Sequence, residues 1–364
     1  MSGFYEIALS LTSGIGAVTA RSLIDHFGEA EAIFKAKKAQ LTAVPGIGVK
    51  TADSILKQQA FARAEKELAF AQRYKIDVLT YTSVSYPARL KNCYDAPMVL
   101  YYKGTADLNS KKIVSIVGTR RATPYGKELT QSLVESLKQQ DILIISGLAH
   151  GIDGIAHKAC LKAGIPNIGV VGHGLDRIYP AQHRAIAEKM ISNGGLLTEF
   201  TSETNPDREN FPKRNRIVAG MADATIIVEA SLTGGALITA ELANSYNRDV
   251  FAYPGRVNDE FSAGCNYLIK THRANLMTNP NDLMYIMGWA TDKQYLPAKQ
   301  ISLDLNLSAD EQKIVDILKV KGSLAYDVLS LQANMPQSKL AITVLALEMQ
   351  GIVVALPGKI YRLL

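Results

Sequence analysis

The spacing of apolar and polar residues along the chain predicts where its main sheet lies. Short apolar runs, rich in Val and Ile, alternate with amphipathic stretches and show no polar alternation of their own. The runs are Ile113–Val117, Ile142–Ile145, Ile168–Val171, Thr225–Val228 and Val250–Tyr253. Strands buried on both faces have this character, so the pattern predicts a parallel sheet covered by helices.

Helical spacing fills the segments between these runs. In Lys127–Gln140, four apolar residues recur on one face: Leu129, Leu133, Val134 and Leu137. Strand–helix alternation predicts a doubly wound, mostly parallel α/β domain over residues 80–290. In the rest of the chain, the pattern predicts a helical domain over 1–78, a linker over 291–307 and a small unit over 308–364.

Composition narrows the class of protein. A chain of 364 residues has room for two or three domains. With 47% hydrophobic and 20% charged residues, it is too apolar to be mainly disordered. The amino terminus lacks a signal-peptide pattern, and no apolar run approaches the roughly 20 residues of a membrane span. We therefore expect a cytoplasmic protein with no membrane partner.

Net charge and cysteine content restrict the class of protein less than length and hydrophobic content do. The net charge of +6 is compatible with a polyanionic partner but does not identify one. The three cysteines exclude a dense disulfide framework, and they form no C-x-x-C pair that would indicate a zinc site.

Small turns follow the apolar runs, and Gly118-Thr119-Arg120-Arg121 is the first of them. In a parallel sheet such turns meet at the carboxyl edge, where open α/β folds bind ligands. The glycine permits a tight turn, and the arginines can pair with a phosphate. The alternative is that both arginines are solvated surface charges.

Two further segments suit an anionic partner. The first, Phe211-Pro212-Lys213-Arg214-Asn215-Arg216, combines a ring for base stacking with three cations and an amide. Its alternative is a helix start with Phe211 in the core. The second, Thr233-Gly234-Gly235, can form an anion nest, although a plain tight turn explains it equally well.

The histidines do not predict a metal site. His150 and His157 flank Asp153, and Asp153 lies one helical turn from His157, so these two side chains can pair. A hydrogen-bond network at a helix start fits this spacing better than a zinc helix does. The sequence contains no GxxxxGK[ST] phosphate loop, and it does not indicate a catalytic triad. We expect that the protein binds no metal and no cofactor.

Gly-Ile-Gly occurs twice near the amino terminus, at 14–16 and 46–48, each time between two helical patterns. This resembles a tandem helix-hairpin-helix, a motif whose backbone N–H groups hold a nucleic-acid phosphate. Many such pairs serve instead as packing or protein-contact modules, and both readings stay open.

Ordered motifs along most of the chain resemble the DprA/Smf family, the DNA-processing proteins of bacterial transformation. They are Ser85–Leu90, Asp95–Gly104, Ile116–Arg120, Ser146–His157, Gly172–Pro180, Phe211–Gly220, Gly234–Ala240 and Pro254-Gly255.

The resemblance implies an extended Rossmann-like domain that binds single-stranded DNA, forms a homodimer and loads the RecA recombinase, without catalysis. The implied DNA-binding residues are Gly118, Thr119, Arg120, Arg121, Phe211, Lys213, Arg214, Asn215, Arg216, Thr233, Gly234 and Gly235. Thr119 replaces the family's serine and keeps its hydroxyl. Gly234 replaces a serine, which removes a hydroxyl that Thr233 can supply.

The final unit resembles the winged helix-turn-helix of many family members. The predicted helices run from Ser308 to Lys319, over Ala325–Leu331 and over Pro336–Met349, with wing strands at Ile352–Ala355 and Lys359–Leu363. The helix over Pro336–Met349 occupies the position of a recognition helix but carries only one cation. This composition favours protein contact or packing over base-specific DNA recognition.

Two rival functions remain at this level. The core also resembles nucleotide phosphoribohydrolases, whose loop Pro-Gly-Gly-x-Gly-Thr precedes a glutamate. Here the third glycine and the threonine are missing, although Glu241 lies downstream. The other rival is a DNA-binding regulator led by the winged helix.

Overall fold

The structure, a computed structural model, describes residues 3–290, 307–356 and 360–363. The chain divides into two compact units, residues 1–290 and 291–364. Except for Leu307, the predicted linker 291–307 lies outside the described residues. No helix within the described ranges is long and apolar enough to cross a membrane.

Nine strands of the first unit form one sheet. They are β1 Asp77–Thr80, β2 Val99–Gly104, β3 Lys112–Val117, β4 Ile142–Ser146, β5 Asn167–Val170, β6 Gly194–Thr198, β7 Ala224–Ile227, β8 Asp249–Ala252 and β9 Asn275–Leu276. The strand order is β1-β2-β6-β5-β4-β3-β7-β8-β9. Strands β3 to β9 are parallel, and the pairs β1–β2 and β2–β6 are antiparallel.

The helices of this unit fall into two groups along the chain. The amino-terminal group comprises α1 Phe4–Leu11, α2 Ala17–Phe27, α3 Ala30–Lys35, α4 Lys38–Thr42, α5 Val49–Leu56 and α6 Phe61–Tyr74. The α/β group comprises α7 Ala88–Lys91, α8 Pro124–Ser136, α9 Ile152–Ala163, α10 Arg184–Met190, α11 Asn210–Met221, α12 Gly235–Ser245, α13 Glu260–Lys270 and α14 Pro280–Ile286.

The predicted fold class, a mostly parallel α/β sheet with a helical amino-terminal domain and a winged helix, is confirmed. Each of the five predicted strands lies within one residue of an observed one. The helix predicted over Lys127–Gln140 begins earlier, at Pro124, because Thr123 caps it by accepting a hydrogen bond from the N–H of Gly126 (3.2 Å). Sequence reasoning did not identify β1, β2, β6 and β9.

The order of the sheet reverses direction at β3. The chain passes from β3 through β4 and β5 to β6 on one side, and continues from β7 through β8 to β9 on the other. Apolar residues on both faces pack against helices; Ile116 and Ile144 face the layer of α8 and α9, whereas Ile113 and Ile145 face the core that includes α11 and α12. Doubly wound sheets bind ligands at the carboxyl edge near such a reversal.

The amino-terminal helices are joined to the α/β domain through α6. Glu67 of α6 is buried and accepts hydrogen bonds from the N–H and hydroxyl of Ser202, at 2.8 and 2.7 Å. Arg63, one turn earlier, lies 3.1 Å from the same carboxylate. A buried charge with these partners fixes the packing of α6, because losing either partner would leave a group unsatisfied.

The second unit is a small winged helix with its own core. Its elements are α15 Ala309–Lys321, β10 Ser323–Ala325, α16 Tyr326–Ala333, α17 Gln337–Met349, β11 Val353–Leu356 and β12 Ile360–Leu363. The predicted start of this helix at Ser308 is confirmed, and Ser308 forms a capping box with Glu311. The predicted wing strand starts at Lys359, which lies outside the described residues, as does the turn Pro357-Gly358.

Candidate nucleic-acid interface

A narrow cleft opens where β3, β4 and β5 end. It is lined by Arg120, Gly147, Ala149, His150, Val171, Gly172, His173, Tyr179, Pro180, Phe211 and Arg214. Its enclosed space of about 20 Å³ has room for about one water molecule. The cleft is therefore too small to admit a nucleobase.

Arg120 and Phe211 meet at this mouth. The guanidinium carbon of Arg120 lies 5.0 Å from the centre of the Phe211 ring, within the range of a cation–π contact. Phe211 is half-buried at the start of α11, so the alternative, a helix start with a core phenylalanine, is right about the helix but not about full burial. Arg120 itself is exposed.

The start of α9 positions the glycine loop that carries Arg120. The N–H of Ile152 donates to the carbonyl of Thr119 (3.2 Å), and a Cβ on Gly118 would lie only 2.5 Å from Ile152. The hydroxyl of Thr119 accepts a hydrogen bond from the N–H of Arg121 (3.1 Å), so it closes the turn and keeps its proton for an anion. Arg121 is exposed and lies 5.7 Å from the ring of Phe261.

Tyr179 is a residue that sequence reasoning missed. Its ring centre lies 6.1 Å from that of Phe211 with an interplanar angle of 36°, and 44% of the residue is exposed. Two neighbouring rings beside an arginine form a platform on which nucleobases can stack. The motif Gly172–Pro180 contains this tyrosine, but nothing local in the sequence places it against Phe211.

The sequence predicts five cations on one rim of the sheet, namely Arg120, Arg121, Lys213, Arg214 and Arg216, and for Arg214 this prediction is wrong. Arg214 is 4% exposed and donates to the carbonyl of Val170 at 2.7 Å. A Cβ on Gly147 would collide with its guanidinium, so the glycine is needed to seat this side chain. Burial lowers the pKa of Arg214 to about 10, and the nearby Asp153 opposes that shift. Arg214 therefore forms the floor of the cleft.

Arg216 is also engaged inside the protein. It forms an ion pair with Glu199 and donates to the carbonyl of Asp95. Burial raises the pKa of Glu199, and the Arg216 guanidinium counteracts the shift. The cluster predicted on the rim is thus reduced to Arg120, Arg121 and the exposed Lys213.

Asn215 and the second glycine loop lie together. The amide of Asn215 donates to the carbonyl of Gly235 in a long 3.4 Å contact, which joins α11 to the start of α12. Thr233 and Gly235 are exposed. A Cβ on Gly234 would lie 3.4 Å from the Ser231 hydroxyl, so Ser231 supplies a hydroxyl beside this glycine.

The pairing that the spacing allows between Asp153 and His157 does not occur. Asp153 accepts hydrogen bonds from the N–H groups of Gly147 (3.1 Å) and Ala149 (3.4 Å), and it orders the loop under the cleft. His157 is fully buried, and its Nδ1 contacts the Asn167 side-chain oxygen at 2.8 Å. Burial lowers the pKa of His157 to about 4, so the ring is neutral at pH 7.

Metal ligands do not gather in the described part of the chain, where no group of three His, Cys, Asp or Glu side chains is arranged to hold an ion. His150 lies at the lip of the cleft, with its ring centre 5.4 Å from that of His183. Sequence reasoning did not assign His150 to the site.

Comparison with known proteins identifies the family. The model described as DNA recombination-mediator protein A matches residues 77–288. The chain belongs to this family. Models of the SAM-like helix-hairpin-helix tandem and the DprA winged helix domain match residues 7–58 and 298–359.

Members of the DprA family align with most of the length of this chain. Protein Smf of Escherichia coli is 32% identical over 310 residues, which cover 82% of this chain and 80% of the relative. The X-ray structure of DNA processing protein A from Streptococcus pneumoniae superposes with a TM-score of 0.68 at 31% identity, covering 78% of this chain and 97% of that one.

A second solved structure concerns the single-stranded DNA binding mode of DNA processing protein A from Helicobacter pylori. It superposes with a TM-score of 0.53 at 30% identity and covers 58% of this chain and 95% of that chain.

Proposed function

We propose that this DprA family member binds single-stranded DNA at the Arg120–Phe211 cleft, protects it, and loads RecA onto it during natural transformation, without catalysing a reaction. The observation that carries the proposal is the platform of Phe211 and Tyr179 beside the Arg120 guanidinium. Stacking is open to every base, and a cation beside the rings meets the backbone phosphate. Such a site favours unpaired strands, because bases inside a duplex do not expose their faces.

The remaining cations extend this site. Lys213 is exposed, and Arg121 precedes α8 on the same edge of the sheet. Gly118, Thr119, Asn215, Thr233, Gly234 and Gly235 remain proposed contacts of the strand. We assign Arg214 and Arg216 the supporting role of holding the loops that present these contacts.

Homodimerisation is the second part of the proposal. Edge strand β9 ends the sheet, and Leu276 on it is 49% exposed. Tyr267 of α13 is also exposed, and Arg273 joins it to Glu241 of α12. A second copy of the chain can cover the exposed side chains of Leu276 and Tyr267 by a symmetric contact at this edge. The cytoplasmic location expected from the sequence belongs to the same proposal.

RecA loading is tested on single-stranded DNA covered with single-strand-binding protein, with RecA ATP hydrolysis as the readout. We expect the wild-type chain to shorten the lag before hydrolysis. With the double variant Arg120→Ala, Phe211→Ala, the lag should be as long as it is when no DprA family protein is added. The control is Lys75→Gln, which changes an exposed cation away from the cleft. An unshortened lag with wild-type protein would contradict the loading step.

Neither rival gains a specific observation. The phosphoribohydrolase hypothesis depends on Glu241, which is exposed and forms an ion pair with Arg273 (3.3 Å). In the winged helix, Lys339 is paired with Asp310 (2.6 Å), and Ile342, Leu345 and Met349 are exposed on the same helix. A surface of this composition suits protein contact better than DNA reading.

A further inference from the structure

A second cationic surface lies on the helical layer that covers one face of the sheet. The groove between α9 and α10 has a volume of about 560 Å³. Its lining includes Lys158, Lys162, Lys189, Ser192 and Asn193. Three lysines and two neutral polar groups thus line a groove that has no carboxylate in its wall.

The three lysines form no ion pair within the described residues. Lys158, Lys162 and Lys189 are exposed, and none of them forms an ion pair or side-chain hydrogen bond there. Like charges gathered around one groove repel one another unless an anion lies between them. A polyanion placed in the groove would remove this repulsion.

Helix dipoles explain only part of the arrangement. Lys162 and Lys189 stand in the last turns of α9 and α10, where a cation is favoured. Lys158 lies in the middle of α9, outside the range of that effect. Lys158 and Lys162 also line the groove on the other side of α9, about 580 Å³ in volume, together with Lys138 and Glu135. In that groove Glu135 is paired with Lys138 at 3.7 Å, not with Lys158 or Lys162.

The groove and the cleft are joined by the same two helices. Helix α9 begins two residues after His150, which lines the cleft, and α10 begins directly after His183, whose ring contacts that of His150. Both helices then run to the lysines. The 12 residues of α9 span about 18 Å, the distance of about five phosphates at duplex spacing and fewer in an extended strand.

We propose that the α9–α10 groove is a second, sequence-independent binding track for the backbone of a single DNA strand whose bases stack at the Arg120–Phe211 cleft. This inference rests on the proposed function. The lysines bind phosphates as mobile point charges and read no base. The track lengthens the strand segment that one subunit holds, so its contribution grows with the length of the strand.

The experiment compares wild type with the triple variant Lys158→Gln, Lys162→Gln, Lys189→Gln on a short oligo(dT) of about 6 nucleotides and a long one of about 30. A matched control removes three other exposed, unpaired lysines of the same unit: Lys75→Gln, Lys111→Gln, Lys270→Gln. Fluorescence anisotropy over a salt series gives the affinity and the number of phosphates neutralised. All six positions are exposed, so both variants should fold, which circular dichroism checks.

We expect the groove variant to bind the short strand like wild type and the long strand about tenfold or more weakly, with the slope of log K against log salt smaller by about 2. The control should match wild type on both strands. If wild type binds the long strand and the groove variant keeps the same slope and affinity, the groove proposal is wrong. Failure of wild type to bind either strand would instead overturn the proposed function.

Discussion

Arg120 and Phe211 lie at the same edge of the sheet, 91 positions apart in the chain, and meet with the guanidinium carbon 5.0 Å from the ring centre. The arginine follows β3 and the phenylalanine begins α11. Their contact holds a cation and a stacking face in fixed relation. The two side chains should therefore make separable contributions to DNA binding.

Phe211→Ala removes the stacking face and leaves the charge. We expect binding of oligo(dT) to weaken by about 1–3 kcal/mol with an unchanged salt slope. Arg120→Ala removes the proposed phosphate contact, so we expect the affinity to fall and the slope to decrease by about 0.7. Anisotropy titrations over a salt series measure both quantities. Equal salt slopes for the two variants would show that the roles are not divided in this way.

Arg214 should matter for stability rather than as a surface contact. Its removal leaves Asp153 buried without the cation that lowers its pKa, since burial alone raises that pKa. We expect Arg214→Ala to lower the free energy of unfolding by about 3 kcal/mol or more at pH 7. The neighbouring Lys213→Ala, at an exposed position, should change it by less than about 0.5 kcal/mol.

The pH dependence of that loss gives its cause. Below the ordinary pKa of an aspartate, about 4, Asp153 is protonated in the folded and unfolded states, so the missing cation matters less. As pH rises, the unfolded state ionises first and the folded state is penalised. Urea unfolding should thus show a smaller loss for Arg214→Ala at low pH than at pH 7. A loss that is constant with pH would indicate lost packing only.

The burial of His157 should make the folded state less stable in weak acid. Its pKa is lowered to about 4 in the folded state by burial, whereas an unfolded histidine has a pKa of about 6.5. Its neutral form is favoured on folding, so stability is lost as pH falls through this window, by about 2 kcal/mol at pH 5. His157→Gln should reduce the difference in unfolding free energy between pH 7 and pH 5 by this amount. An unchanged difference would mean that the ring titrates normally.

The proposed homodimer can be tested at the sheet edge. Leu276→Glu places a charge on an exposed apolar position of β9, so it should convert a dimer to a monomer in light scattering. Val84→Glu is the control, because Val84 is a fully exposed apolar residue outside the strands. A monomeric wild type, or a dimer that survives both changes, would contradict this assignment.

Local patterns predicted most of the fold but only part of the site. Buried parallel strands such as β4 are continuous apolar runs, so the sheet and the edge that carries Arg120 followed from the sequence. The burial of Arg214 depends on Gly147, 67 positions away in the chain, and the engagement of Arg216 inside the protein depends on its ion pair with Glu199. Tyr179 joined the site through tertiary contact with Phe211. Such long-range contacts leave no periodic signal in one sequence.

The central claim is that the cleft selects unpaired strands by stacking and backbone charge. Its most direct test is anisotropy competition between oligo(dT) and a duplex of equal length, across a salt series, with wild type and the double variant Arg120→Ala, Phe211→Ala. We predict that oligo(dT) displaces the labelled strand at least about tenfold more effectively than the duplex, and that the double variant loses this preference. Equal competition by both forms with wild-type protein would contradict the account.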